Sequence, residues 1–116
     1  MQSNENKDWP KQSRTYTKET HLGRIYVIIT YNNKDHAPDN LFAAETQGGP
    51  CFNSEVEALG RSLRLMYKYG VPTNEIIKQW QGIQCEPHWE KGNLVKSVAD
   101  ALGQCLQEAL NDGYPI

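Results

Sequence analysis

Four basic side chains near the middle of the chain could bind the phosphates of a ligand. Arg61, Arg64 and Lys68 follow one face of a predicted helix, and Lys78 lies on the next helix. Arginine can donate paired hydrogen bonds to phosphate oxygens, and lysine adds a compact charge. Arg61 can pair with Glu57 four residues earlier, whereas Arg64 and Lys68 have no acidic residue at that spacing. These residues are candidates for a local anion site, although a solvated helix face is the more common origin of such a charge pattern.

Two tryptophans and a glycine pair in the same region could complete a nucleotide site. Trp80 and Trp89 could stack a base, an interaction worth ~1–3 kcal/mol per base in single-strand binders. Gly48 and Gly49 would let the backbone approach a ligand closely. Trp80 also follows Ile76 by four residues, a spacing typical of core side chains, so a packing role stays open for it.

Sulfur and imidazole ligands suggest a metal site only as an alternative. Cys85 and His88 have a C-x-x-H spacing that zinc accepts, and Cys51 could be a third ligand. A fourth protein ligand is not evident, and ordinary reduced thiols are the simpler interpretation. Cys105 lies in an apolar row of the last predicted helix, where a buried thiol is expected. We therefore predict no cofactor and no metal, with Cys51, Cys85 and His88 as the alternative zinc ligands.

The residues that could catalyse a reaction are not arranged in a catalytic pattern. His21, His36 and His88 are scattered, and the spacing suggests no Ser-His-Asp or Cys-His pair. Glu55 and Glu57 are two positions apart on a predicted helix, so they point in different directions. The chain also has no Walker A, GxGxxG or HExxH sequence. We expect a protein that is not an enzyme.

Length and charge narrow the class of ligand and the compartment. A chain of 116 residues is one domain, and its net charge of −2 argues against a duplex nucleic acid as partner. The polar N-terminus predicts neither a signal peptide nor a membrane span. Three cysteines, an odd number, favour a reducing compartment over a disulfide framework. We expect a cytoplasmic protein without a membrane partner.

The first part of the chain is predicted to form the sheet. Residues 1–12 are polar and are expected to be a flexible arm, which leaves residues 13–116 as one domain. The sequence IYVIITY favours a central strand, with neighbouring strands near residues 14–19 and 41–45. If helices cover one face, the other presents an apolar row, which predicts a homo-oligomer. The two possible exposed rows are Tyr26, Ile28 and Thr30, or Ile25, Val27 and Ile29.

Three helices are predicted after the strands. The first spans about residues 54–69, with Ala58, Ser62, Leu65 and Tyr69 widening its buried side. Pro72 would begin the second, and Ser97 with Asp100 would form a capping box that begins the third. Residues 86–93 are predicted to be a loop. The fold class is therefore α+β, a small antiparallel sheet of about three strands followed by three helices packed on one face.

Several short segments resemble, in order and spacing, the TSCPD domain, which is found at the C-terminus of cobalamin-dependent ribonucleotide reductases and in small standalone proteins. The resemblance covers about residues 15–110 and implies the fold described above. The name motif Thr-Ser-Cys-Pro-Asp corresponds to KSVAD at residues 96–100, which keeps Ser97 and Asp100 but has Val98 in place of the cysteine, so zinc is in doubt. The matching segments are Gly23-Arg24-Ile25-Tyr26-Val27, Glu57-Ala58-Leu59-Gly60-Arg61, Gly70-Val71-Pro72, Ile76-Ile77, Gly82-Ile83 and Cys85.

In its length, its polar N-terminal arm, its lost motif cysteine and its cluster of basic and aromatic residues, the chain is also similar to the phage anti-Thoeris family. Members of that family are small oligomeric proteins that sequester cyclic ADP-ribose isomers made by bacterial TIR enzymes. Some members also hold cyclic oligonucleotide signals of the CBASS defence system. This resemblance implies a non-catalytic anti-defence protein in the cytoplasm of an infected bacterium, with the basic side chains on phosphates and a tryptophan on adenine. The alternative is a TSCPD-like accessory or regulatory module, with or without zinc, that acts with ribonucleotide reductase or nucleic acid.

Overall fold

A computed structural model describes residues 11–32 and 42–113, and it contains an antiparallel three-stranded sheet. The strands are β1 (Lys11–Thr20), β2 (Gly23–Asn32) and β3 (Phe42–Gln47), in the order β1-β2-β3. The IYVIITY segment is the central strand, as the sequence predicts. The proposed arm lies outside the described residues except for Lys11 and Gln12, which belong to β1.

The three helices of the described residues follow the strands. They are α1 (Pro50–Lys68), α2 (Thr73–Trp80) and α3 (Val98–Asn111). Helix α1 contacts β3, α3 contacts β1 and β2, and α2 packs on α3. The α+β class, with a three-stranded antiparallel sheet and three helices, is therefore confirmed.

One row of β2 faces the helices and the other does not. Ile25, Val27 and Ile29 are buried, because alternate side chains of a strand point to the same face. They form the core with apolar residues of all three helices. The opposite row is only partly covered, and it consists of Tyr26, Ile28 and Thr30.

Helix α1 differs from the prediction at its start and on one of its sides. It begins at Pro50, earlier than predicted, because proline at the first helical position has a suitable φ and needs no hydrogen-bond acceptor. Its buried residues are Phe52, Val56, Gly60 and Leu63. The prediction that a neighbouring row of side chains widens the buried side of α1 was wrong, because no described element covers that row. Its members are exposed, and they are Ala58, Ser62, Leu65 and Tyr69.

A second small sheet occupies the segment predicted as a loop. Strand β4 (His88–Glu90) pairs with β5 (Asn93–Val95) through a two-residue turn. Both turn residues, Lys91 and Gly92, have positive φ, as a type I′ hairpin turn requires. The hairpin contacts β1 through both strands and α3 through β5. The sequence interpretation missed it because each strand has only three residues.

Within the described ranges, no helix has the length and apolar character needed to cross a membrane.

Candidate functional site

Two pockets adjoin where the β4–β5 hairpin meets β1 and α3. The basic pocket has a volume of about 430 Å³ and is lined by Thr17, Lys18, Arg24, Lys91 and Asn93. The amide pocket has a volume of about 300 Å³ and is lined by Gln81, Asn93, Gln104, Gln107 and Glu108. Both volumes suit a small-molecule ligand. We call the two pockets together the hairpin groove.

Three different elements bring the cations of the basic pocket together. Lys18 comes from β1, Arg24 from β2 and Lys91 from the hairpin turn. Lys18 lies opposite buried Ile25 in the β1–β2 register, so its stem runs along the core side of the sheet. Thr17 and Arg24 belong to the other face, and the pocket therefore wraps around the sheet beside the hairpin. A basic concavity of this kind can bind an anion.

The partners of these cations decide how available they are to a ligand. The side chain of Lys18 is only 12% exposed and forms an ion pair with Glu108 of α3. Arg24 pairs with Glu19, and hydrogen bonds to Tyr26 and to Glu19 raise the pKa of its guanidinium. Lys91 is exposed and has no carboxylate partner among the described residues. Lys91 is therefore the most accessible cation of the pocket.

The amide pocket contains both engaged and available groups. Gln104 is fully used: its carbonyl accepts a 2.7 Å bond from the amide of Asn93, and its own amide donates to Leu94 O and to Asp100. The amide of Gln107 donates to Asn111 at 3.1 Å. Within the described residues, the carbonyl oxygens of Asn93 and Gln107 accept no side-chain hydrogen bond. The pocket therefore presents several acceptors to a ligand.

The buried carboxylate of Asp100 holds the surroundings of the groove in place. It accepts hydrogen bonds from the backbone N–H of Gly82 at 2.8 Å and of Lys96 at 2.9 Å. The amide of Gln104 donates to it at 2.9 Å. It thus connects the end of α2, the end of β5 and a residue of the amide pocket.

The predicted capping box is only half formed at the start of α3. The hydroxyl of Ser97 accepts from the backbone N–H of Asp100 at 3.0 Å, as a cap should. In a complete capping box, the Asp100 carboxylate would accept a hydrogen bond from the backbone N–H of Ser97. Here it accepts from the backbone N–H groups of Gly82 and Lys96 instead. Val98, at the position of the motif cysteine, is buried in the core.

The four basic residues predicted as an anion site lie on α1 and α2, which contribute no cation to the groove. We call these residues, Arg61, Arg64, Lys68 and Lys78, the helical ridge. Arg61 forms the expected ion pair with Glu57, and Lys78 pairs with Glu75. Lys68 lies 5.7 Å from the ring centre of Tyr69, and Arg64 is half-buried with an interaction of its own. None of the four lines a pocket of the hairpin groove.

The predicted aromatic and glycine residues have different surroundings. Trp80 is 8% exposed and belongs to the core, which fits the packing role that its spacing left open. Trp89 is 67% exposed on β4, where a ligand could reach it. A Cβ atom at Gly48 would lie 2.4 Å from Phe52 Cδ2 and 2.7 Å from Leu22 O, so that glycine permits close packing. Gly49 has no atom within 4 Å of such a position and caps α1.

The alternative zinc ligands do not come together. Cys51 and Cys85 are exposed on different elements, and within the described ranges no three metal-binding side chains form a cluster. Cys85 instead contacts His21, whose Nε2 lies 3.6 Å from its sulfur. The other ring nitrogen of His21 is buried without a hydrogen-bond partner. Among the described residues, the pair therefore has no acceptor on Nδ1 of the kind that orients the imidazole of a catalytic Cys-His pair.

Lys18, Arg24 and Lys91 were missed because no single strand or helix face carries all three. Lys18 and Arg24 lie on neighbouring strands but on opposite faces of the sheet, and Lys91 joins them only through tertiary contacts of the second hairpin. The KGN sequence at residues 91–93 is a turn signal that could have indicated the hairpin. Nothing in the sequence indicates which strand that hairpin contacts.

Comparison with known families adds one relationship. The family model of the TSCPD domain matches residues 3–110, which is most of the chain. Comparisons with curated proteins and with solved structures gave no match. Because the family match extends over the sheet, the helices and the hairpin alike, the chain belongs to the TSCPD domain family.

Proposed function

We propose that the protein binds and sequesters a cyclic nucleotide immune signal without changing it chemically, and so acts as a phage anti-defence protein in the cytoplasm of an infected bacterium. The ligands considered are cyclic ADP-ribose isomers of Thoeris and cyclic oligonucleotides of CBASS. The observation that carries the proposal is the basic pocket, where Lys18, Arg24 and Lys91 surround a space of about 430 Å³. A phosphate group fits this charge and size.

The side chains that line the basic pocket are of types that bind phosphate oxygens and hydroxyl groups. They are lysine, arginine, threonine and asparagine, and the neighbouring carboxylates of Glu108 and Glu19 form ion pairs with Lys18 and Arg24. The residues proposed for phosphate binding are accordingly Lys18, Arg24 and Lys91 in place of the helical ridge. Trp89 remains the candidate for stacking on a base, since most of its surface is exposed.

Self-association is part of the proposal, because the partly covered row of Tyr26, Ile28 and Thr30 includes apolar area on the face away from the helices. Burial of this row against a second copy would remove that area from water. Light scattering at several protein concentrations should give a mass larger than one chain. Ile28→Lys should shift the mass toward a monomer, and a monomeric wild-type protein would contradict this part of the proposal.

A capture-and-release experiment tests the binding function directly. Purified protein is mixed with cyclic ADP-ribose isomers and cyclic di- and trinucleotides, filtered, and then denatured by heat. Mass spectrometry should recover one ligand class intact and near one molecule per site. Recovery of a cleaved product would show catalysis, and recovery of no ligand would contradict sequestration.

One observation favours the accessory-module alternative. Cys85 and His21 are neighbours, and together they could provide two ligands of a zinc site. That function predicts stoichiometric zinc in protein purified without chelator, with loss of zinc in Cys85→Ser. Metal-free protein with unchanged stability would remove this support.

A further inference from the structure

The two pockets of the hairpin groove are joined by an ion pair. Lys18 lines the basic pocket, Glu108 lines the amide pocket, and their side chains are bonded to each other. Lys18 is 12% exposed and Glu108 is 44% exposed, so the carboxylate is the more accessible partner. An anion that enters the basic pocket must compete with Glu108 for Lys18.

We propose that the groove takes a nucleotide lengthwise and that Lys18 and Glu108 exchange partners when it binds. The ammonium of Lys18 turns to the phosphate in the basic pocket. The released carboxylate of Glu108 accepts hydrogen bonds from sugar hydroxyls or a base amino group in the amide pocket. This inference rests on the proposed function, and it identifies the part of the ligand that the site recognises besides phosphate.

The chemistry of the amide pocket supports a ligand that carries hydrogen-bond donors. Besides Glu108, the carbonyl oxygens of Asn93 and Gln107 face no side-chain donor within the described residues, and the side chain of Gln81 has no hydrogen-bond partner there. Ribose hydroxyls and exocyclic amino groups are donors that match this set. Asn93 lines both pockets and therefore marks where phosphate and sugar would meet.

The exchange makes the groove selective against simple phosphates. Inorganic pyrophosphate can attract Lys18, but it would leave Glu108 without its cation and beside a new negative charge. Two negative charges placed side by side repel each other, and Glu108 would then have no cation to offset this repulsion. A nucleotide avoids this penalty, because its hydroxyl or amino groups donate hydrogen bonds to the Glu108 carboxylate in place of Lys18. The site therefore selects a nucleotide over pyrophosphate, because pyrophosphate leaves the Glu108 carboxylate without a hydrogen-bond donor.

Calorimetric titration of Glu108→Gln with cyclic ADP-ribose and with inorganic pyrophosphate tests the exchange. Wild-type protein should bind cyclic ADP-ribose about 100-fold more tightly than pyrophosphate, and the variant should reduce this ratio below about tenfold. Pyrophosphate should bind the variant more tightly, because the competing carboxylate is gone. Cyclic ADP-ribose should bind it more weakly. Glu57→Gln is the control, since it removes the same charge from an exposed site on α1.

A second variant separates the amide pocket from the ion pair. Gln107→Met removes an acceptor without touching Lys18 or Glu108, and it should weaken cyclic ADP-ribose binding while pyrophosphate binding stays unchanged. Thermal unfolding of each variant establishes that the fold is kept. If both variants change both affinities equally, the exchange is wrong and the anion site stands. If wild-type protein binds neither probe, the exchange is wrong, whereas the proposed function fails only if the capture-and-release experiment also recovers no cyclic oligonucleotide.

Discussion

Asp100 and Gly82 are joined by a 2.8 Å hydrogen bond from the backbone N–H of Gly82 to the Asp100 carboxylate, across 18 residues of sequence. The second carboxylate oxygen accepts from Lys96 N and from the Gln104 amide. One buried side chain therefore determines where the end of α2 and the end of β5 lie relative to α3. Since Gln81 and Gln104 line the amide pocket, the same carboxylate supports the candidate site.

Replacement of Asp100 by alanine should destabilise the whole domain. The substitution removes the acceptor of two backbone N–H groups and one side-chain amide in part-buried positions, and a hydrogen bond to a charged group contributes about 1.5–3 kcal/mol. We expect the free energy of unfolding to fall by about 3 kcal/mol or more in urea titrations. Asp100→Asn keeps one acceptor oxygen and should lose less. Equal stability of Asp100→Ala and wild type would show that these bonds contribute nothing net.

Gly48 and Gly49 should respond differently to alanine although they are adjacent. A Cβ at Gly48 would overlap with buried Phe52 and with Leu22 O, whereas a Cβ at Gly49 would meet nothing. Overpacking of this kind costs about 1–3 kcal/mol. Gly48→Ala should therefore lower the unfolding midpoint, and Gly49→Ala should change it little. If Gly48→Ala leaves the midpoint unchanged but weakens ligand binding, the glycine has the ligand role that the sequence suggested.

Loss of a basic side chain should weaken ligand binding if the residue lies in the groove, but not if it lies on the helical ridge. Lys91→Met removes the cation that has no described carboxylate partner, whereas Arg61→Met removes one that is paired with Glu57 outside the groove. A charge-assisted hydrogen bond is worth about 1.5–3 kcal/mol. Lys91→Met should thus weaken cyclic ADP-ribose binding by about tenfold or more. The two variants have equal net charge, so a larger loss in Arg61→Met would place the anion site on the ridge.

Sequence periodicity predicted the three-stranded sheet and the three helices, but neither the β4–β5 hairpin nor the candidate site. The alternation of Ile25, Val27 and Ile29 and the buried row of α3 are local patterns, and such patterns determine which face of an element meets the core. The groove depends on how a hairpin with three-residue strands is placed against β1, and no local pattern encodes that contact. Charge patterns on a helix are equally local. The charge pattern of the first helix correctly predicted the ion pair between Arg61 and Glu57, but it gave no information on Lys91.

The phenol of Tyr67 should make stability decrease at alkaline pH. Burial raises the pKa of Tyr67 above 10.0, and its hydrogen bond to Thr73 at 2.9 Å only partly offsets this. As the pH rises past about 10, the unfolded chain loses this proton while the folded protein keeps it, so the free energy of unfolding falls. Below that pH, Tyr67 does not make the free energy of unfolding depend on pH. Urea titrations between about pH 9 and 11 should show a smaller decline for Tyr67→Phe than for wild type. Parallel declines for wild type and Tyr67→Phe would show that the phenol ionises equally in both states.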